Sequence, residues 1–333
     1  MPVLNLLWLQ SGGCGGCSMS LLNAESPDLL SLFENAGINL LWHPSLSEAS
    51  GHECIEMLEG ILAGDIALDI LCIEGAMMTG PMGTGKFHIM GGTGKPMIEW
   101  VQALAEKAIH TVAVGSCAAY GGITAAGSND TDATGLQYDG EMRGGLLGKD
   151  FVSGSGQQVV NIAGCPTHPD WVTETLMSIA LGEHQDDNLD KFGRPRMYAD
   201  HLVHHGCSRN EFYEYKASAV DMGDRGCMME NMGCKGTQAH ADCNTRPWNG
   251  QGSCTNGGYP CINCTAPEFE EPGHSFCQTP KVAGIPVGLP TDMPKAWFVA
   301  LASLSKAATP ERLKKNAISE QLIYPPTIHK RKD

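Results

Sequence analysis

Asn5-Leu6-Leu7-Trp8-Leu9-Gln10-Ser11-Gly12-Gly13-Cys14-Gly15-Gly16-Cys17 runs an apolar segment straight into a glycine-rich turn carrying two cysteines in CxxC spacing. An apolar run without polar alternation marks a strand buried on both faces, as in parallel sheets. Further runs of this type follow at 38–42, 66–73, 111–115 and 159–163. Between them, helical spacing of apolar residues predicts helices at 19–24, 53–63 (Cys54, Met57, Leu58, Ile61, Leu62, stopped by Gly64), 96–108 and 170–181. Strand–helix alternation with fully apolar strands predicts an α/β fold, a doubly wound parallel sheet, over residues 1–193.

Two later strands also end at cysteines, in Val112-Ala113-Val114-Gly115-Ser116-Cys117 and Val160-Asn161-Ile162-Ala163-Gly164-Cys165-Pro166. Parallel strands have their carboxyl ends along one edge, where open α/β sheets bind ligands. Cys14, Cys17, Cys117 and Cys165 are therefore expected to meet there. The neighbouring glycines let the backbone approach a bulky object and aim N–H groups at it. Four converging thiolates hold zinc or an iron–sulfur cluster. Cys54 and Cys72, inside an apolar helix and strand, read as core residues.

After Gly193-Arg194-Pro195 the periodicity fades. Eight of the fourteen cysteines lie between Cys207 and Cys277, in a stretch rich in Gly, Pro, Asn and His. Residues 194–290 are read as an irregular domain built around inorganic centres, and 291–333 as a helix over 294–306 and a basic tail. His204 stands one helical turn before Cys207, so the two suit one metal. With Cys227 and Cys234 they make a three-Cys, one-His set, and Cys243, Cys254, Cys261 and Cys264 make a four-Cys set. Taken alone, either set also suits zinc. His201 and His205 read as solvated loop residues.

Lys and Arg total 22 against 37 Asp and Glu, a net charge of −15. That balance excludes phosphate-backbone binding and hence nucleic-acid partners. No apolar run reaches the length of a membrane span. The first ten residues have no basic n-region, twin arginine or cleavage site, so a cytoplasmic chain is expected. Clustered cysteines in that compartment point to metal or redox chemistry rather than disulfides. Gly80-Pro81-Met82-Gly83-Thr84-Gly85-Lys86 fits the outline of a phosphate loop. It is followed by Phe87 instead of a Mg²⁺-binding hydroxyl, and reads as a surface loop.

Taken together, these motifs resemble the small, electron-transferring subunit of nickel–iron hydrogenases. The resemblance rests on the opening CxxC, Gly-Ser-Cys at 115–117, Gly-Cys-Pro at 164–166 and HxxC at 204–207. It continues through Cys234-Lys235-Gly236, Cys243 and Pro260-Cys261-Ile262-Asn263-Cys264. It implies a flavodoxin-like domain, an irregular cluster-binding domain and three iron–sulfur clusters leading from the nickel–iron centre of a separate large subunit. Carried over, Cys14, Cys17, Cys117 and Cys165 hold the proximal 4Fe–4S cluster. His204, Cys207, Cys227 and Cys234 hold the distal one, and Cys243, Cys261 and Cys264 match medial ligands. No side chain of this chain is expected to act as the catalytic base.

Departures from the family pattern refine the reading. Where many members have proline and a three-iron medial cluster, Cys254 offers a fourth thiolate and implies a medial 4Fe–4S cluster. Gly16 and Gly122 stand where oxygen-tolerant members carry two extra cysteines, so an ordinary proximal cluster is expected. Cys227 and Cys234 are one residue further apart than the family suggests. Cys254 and the missing leader liken the chain to the regulatory, hydrogen-sensing branch, with a histidine kinase as further partner and assembly as a heterodimer or dimer of heterodimers. The alternatives are an uptake hydrogenase subunit, a zinc-stabilised binding module and a quinone reductase subunit that carries a cluster.

Overall fold

The computed structural model describes residues 3–270, 276–287 and 294–325. Its first part alternates β1 (Leu4–Gln10), α1 (Gly16–Leu21), α2 (Leu29–Ala36), β2 (Ile38–Trp42), α3 (His52–Ala63), β3 (Ile70–Glu74), α4 (Met97–Ala105), β4 (His110–Val114), α5 (Ser116–Tyr120), β5 (Val160–Ile162) and α6 (Pro169–Ala180). Among the described residues the strands form one five-stranded parallel sheet in the order β2-β1-β3-β4-β5. This is the flavodoxin-like arrangement, with its switch point between β1 and β3. Register aligns Leu6 with Ile70, Ile70 with His110 and Val112 with Val160.

Burial explains the unalternated strand sequences. Every residue of β3 is buried, as are Leu6, Leu7, Trp8 and Leu9 of β1. On one face Leu7, Leu9, Leu71, Ile73 and Ala113 share a core with Leu58 and Ile61 of α3 and with Trp100, Val101 and Leu104 of α4. On the other face α1 and α2 pack on α6. Cys72 is fully buried and Cys54 packs against the first core, as expected of core residues.

Some boundaries differ from the sequence reading. The strand expected over 66–73 begins at Ile70, because the Asp69 carboxylate instead accepts the Asn5 backbone N–H at 2.7 Å. Helix α2 has no counterpart in the sequence reading. Asp28 caps it by accepting the Ser31 N–H at 2.9 Å, and Gly37 ends it in the left-handed region. The loop at 80–86 closes on itself: the Gly80, Gly85 and Phe87 N–H groups donate to protein carbonyls and no helix follows directly. It is no phosphate cradle.

The chain separates into two compact units, one of Met1–Asp200 and Cys264–Pro272, the other of His201–Asn263 and Gly273–Asp333. The second is mostly turns, with α7 (Asn210–Glu214), α8 (Lys295–Ala308) and α9 (Glu311–Ala317). Its apolar clusters are small and each borders a cysteine. Phe212, Ala217, Leu313 and Ala317 pack with Cys227, and Ala219, Met228 and Met232 with Cys234. Helix α8 matches the helix read at 294–306, whereas α9 has no counterpart in that reading. The basic tail lies outside the described residues. Among the described residues no helix is long and apolar enough to cross a membrane.

Candidate functional site

The turns after β1, β4 and β5 bring the first four cysteines to the carboxyl edge of the sheet. Cys17 lies within electrostatic reach of Cys117 and Cys165, and Cys14 within reach of both of these. Burial pushes the Cys17 thiol well above its ordinary range, raises Cys117, and raises Cys165 to about 12, and the neighbouring thiols add to each shift. A thiol in such a place keeps its proton until a cation replaces it. Hydrogen bonds oppose this and favour the thiolate: the Thr167 backbone on Cys17, the Thr124 side chain and backbone on Cys117, and the Gly16 N–H on Cys14 Sγ at 3.4 Å.

Two glycines fix the space around these sulfurs. At Gly115 (φ +86°) a Cβ would stand 2.5 Å from Cys17 Sγ. At Gly122 (φ +55°) it would stand 2.9 Å from Cys117 Cα and 3.0 Å from Cys117 Sγ. A cysteine at 122 would therefore be strained and crowded in this backbone.

Sequence reading missed Glu74. It ends β3 almost fully buried, and its Oε1 accepts the backbone N–H of Cys17 at 2.9 Å and of Ser18 at 3.2 Å. Its Oε2 accepts the Ser18 hydroxyl and, at 3.3 Å, the Trp8 indole N–H. The Ser45 N–H donates to His43 Nδ1 at 3.0 Å, which assigns the imidazole proton to Nε2, 3.3 Å from Ser18 Oγ. Glu74 thus holds the start of α1 and the Cys17 turn from beneath. The available signal was a carboxylate closing an otherwise apolar strand.

In the second unit His204, Cys207, Cys227 and Cys234 line one cavity. His204 and Cys207 are joined by a tight turn in which the Cys207 N–H donates to the His204 carbonyl at 3.1 Å. The wider spacing between Cys227 and Cys234 does not separate them. Burial pushes Cys227 up to about 12, and it raises Cys234 and lowers His204. Arg209, also missed by sequence reading, lines the same cavity. Its guanidinium is fixed on the carbonyls of Thr255 (2.9 Å), Gly226 (2.7 Å) and Asp224, and its backbone N–H donates to Cys207 Sγ at 3.4 Å. It stands within electrostatic reach of Cys207, Cys227 and Cys234, a fixed positive charge beside three prospective thiolates.

The remaining cysteines are divided. Cys243, Cys254 and Cys261 belong to the second unit and Cys264 to the first. The Cys261 N–H donates to Cys234 Sγ at 3.3 Å, and its carbonyl accepts the Lys235 N–H at 2.7 Å. Cys254 is exposed as a residue, although partial burial raises its thiol. Cys264 lies beside Cys165, and its carbonyl accepts the Ser116 hydroxyl.

Tetrahedral zinc needs four donors about 2.0–2.3 Å from one point. Among the described residues no three of His, Cys, Asp or Glu are close enough to hold a single ion. Thiols near one another with N–H donors on them are a donor set that suits an iron–sulfur cluster.

Comparison with known proteins agrees. Residues 14–179 match the family model described as NADH ubiquinone oxidoreductase, 20 Kd subunit, and residues 199–277 match the model for the C-terminal part of the NiFe/NiFeSe hydrogenase small subunit. The first match suits the quinone-reductase alternative equally; the second decides against it. The F420 non-reducing hydrogenase II small subunit of Methanosarcina mazei is 38% identical over 288 residues, covering 80% of this chain and 73% of that one. The periplasmic [NiFeSe] hydrogenase small subunit of Desulfomicrobium baculatum is 33% identical, covering 80% and 84%. Among solved structures, the actinobacterial-type NiFe-hydrogenase from Ralstonia eutropha H16 superposes with a TM-score of 0.75 at 30% identity, covering 93% of this chain and 92% of that one. The chain accordingly belongs to the family of nickel–iron hydrogenase small subunits, oxidoreductases that act on dihydrogen together with a large subunit.

Proposed function

We propose that this chain relays electrons from dihydrogen oxidation at a nickel–iron large subunit through three 4Fe–4S clusters. The observation that carries the reading is the gathering of Cys14, Cys17, Cys117 and Cys165 at the carboxyl edge of the sheet, with Cys17, Cys117 and Cys165 partly buried and backbone donors on Cys14, Cys17 and Cys117. These four would hold the proximal cluster, and His204, Cys207, Cys227 and Cys234 the distal one. Cys243, Cys254, Cys261 and Cys264 would hold the medial one. Each cluster, when bound, supplies one-electron chemistry at a potential set by its ligands, hydrogen bonds and burial.

The chain's own residues place and tune. Glu74 fixes the Cys17 turn, Gly115 and Gly122 keep the space beside the sulfurs open, and Arg209 offsets negative charge at the outer set. His204, a neutral ligand, makes that set less negative than four thiolates and raises its potential. The test is anaerobic purification with the large subunit, followed by iron and sulfide analysis and EPR. About twelve irons per chain are expected, four for each of three clusters. A colourless, zinc-bearing protein would sink the reading.

The physiological task is a separate question. Cys254 motivates a cytoplasmic hydrogen sensor with a histidine kinase partner, in a heterodimer or a dimer of heterodimers. The names of the relatives favour uptake: they include an uptake hydrogenase small subunit of Bradyrhizobium diazoefficiens and two periplasmic subunits. A pull-down from the source cell separates the two. Recovery of a kinase supports sensing, and recovery of a quinone- or NAD-linked partner supports uptake.

A further inference from the structure

Thr124 offers one proton to two acceptors. It lies in the single helical turn Gly122–Ala125 that follows α5, and its Oγ1 donates to the Gly12 carbonyl at 3.0 Å. The same hydroxyl is within hydrogen-bonding reach of the Cys117 sulfur, one of the four prospective proximal ligands. A threonine hydroxyl carries a single donor hydrogen, so it serves one of these acceptors at a time. That hydrogen turns about the C–O bond, and the choice between acceptors moves no heavier atom.

Neither acceptor depends on the hydroxyl for its place. The Gly12 carbonyl also accepts the Ala76 N–H at 2.7 Å, and the Gly12 N–H donates to the Ala76 carbonyl at 3.0 Å. A Cβ on Gly12 would stand 3.1 Å from the Ala76 oxygen, so these two segments already pack at contact distance. The carbonyl therefore stays fixed and keeps a partner when the hydroxyl turns away. On the sulfur side, the backbone N–H groups of Ile123 and Thr124 also act on Cys117. Those two donors are set by the course of the chain. The hydroxyl can be turned on to the sulfur or off it.

We infer that the Thr124 hydroxyl follows the charge of the proximal cluster, resting on the Gly12 carbonyl in the oxidised state and turning on to the Cys117 sulfur when an electron arrives. The inference rests on the proximal set proposed above. Its driving force is the added negative charge on the ligand sulfur, because a hydrogen bond to a charged acceptor is roughly twice as strong as one to a neutral acceptor. A bond of equal strength in both states would shift nothing. One made chiefly to the reduced state stabilises that state and raises the potential. The balance is one electron, gained by the cluster from the relay. The hydroxyl keeps its proton, no covalent bond breaks and none is taken from water. Thr124 is a positioning residue, acting on the cluster through Cys117.

The test uses the complete complex with its large subunit, prepared anaerobically, and reads the cluster midpoints by EPR-monitored redox titration. Thr124→Val keeps the side-chain shape and removes the hydroxyl. It is expected to shift the reduction equilibrium of one cluster about tenfold towards the oxidised form, a fall of about 59 mV for one electron, and to leave the other midpoints in place. Thr124→Ser restores the hydroxyl and should restore the midpoint. The fall should be the same at pH 6 and pH 8, since no proton is exchanged with water. A further measurement needs no variant. Brief transfer of the reduced wild type to D₂O replaces the hydroxyl proton faster than the buried N–H protons, so electron–nuclear double resonance should lose one proton coupling quickly. Midpoints unchanged in Thr124→Val overturn the inference alone. A fall that Thr124→Ser does not reverse belongs to packing, and a fall confined to one pH belongs to proton uptake; either overturns it too. Should Thr124→Val fail to assemble, the quickly lost coupling in the wild type supports the inference and its absence overturns it. A wild-type complex without iron–sulfur midpoints overturns the relay reading and the inference together.

Discussion

Gly115 and Cys17 are locked together: the Cβ that Gly115 lacks would lie 2.5 Å from the Cys17 sulfur. Gly115→Ala forces either the thiol or the β4 turn to move, and adds the strain of φ +86°. We expect a loss of about 2–4 kcal/mol in the stability of the first unit and a drop in proximal cluster content. Gly127→Ala is the control. Its φ is +72° but a Cβ there meets nothing within 4 Å, so only about 1 kcal/mol is expected. Thermal melting and iron analysis of the two variants make the comparison, and equal behaviour would refute the close fit.

Acid should loosen the same region through His43. Burial lowers this imidazole to about 4, against an ordinary value of 6.5. Because the folded value is depressed, the stabilisation is present above pH 6.5 and is lost as pH falls towards 4. The loss amounts to at most about 3 kcal/mol. Melting temperatures of wild type and His43→Gln between pH 7 and 4 test this. The wild type should fall more steeply, and parallel curves would show that His43 does not contribute.

Arg209→Gln should make the distal site harder to reduce. The guanidinium offsets negative charge on Cys207, Cys227 and Cys234, so removing it lowers the potential by roughly 50 mV. EPR-monitored redox titration reads the shift. Arg209→Lys should restore the charge in part, yet lose the fork of bonds to Thr255, Asp224 and Gly226. A potential unchanged in Arg209→Gln would leave Arg209 a purely structural clamp.

Cys254→Pro removes the thiol proposed as the fourth ligand of the medial set. We expect one iron to be lost there and a three-iron EPR signal to appear in the oxidised protein. An unchanged spectrum would exclude Cys254 as a ligand.

The strand ends were legible because an apolar run meeting glycine and cysteine is a local pattern. The sheet order then brings Cys14, Cys17, Cys117 and Cys165 to one edge whatever their separation in sequence. Helix α2 was equally local, with Asp28 at one end and Gly37 at the other, but its apolar face is short and was outweighed by the neighbouring strand. Glu74 stood out in sequence only as a carboxylate closing an apolar strand, and its partners Trp8, Cys17 and Ser18, which give it its role, lie 56 to 66 residues away. Arg209 was hidden for a related reason. Its partners are backbone carbonyls of 224, 226 and 255, which carry no side-chain signature.

The return of residues 264–272 to the first unit has a bearing on biosynthesis. Ser116 holds the Cys264 carbonyl, and Arg194, paired with Asp190 at 2.6 Å, donates to the Thr265 carbonyl at 2.9 Å. A ribosome that has made only the first 200 residues has therefore not yet supplied the strap that closes this half. These two bonds form only after the cysteine-rich insertion has emerged, so the first half is not completed in order of translation.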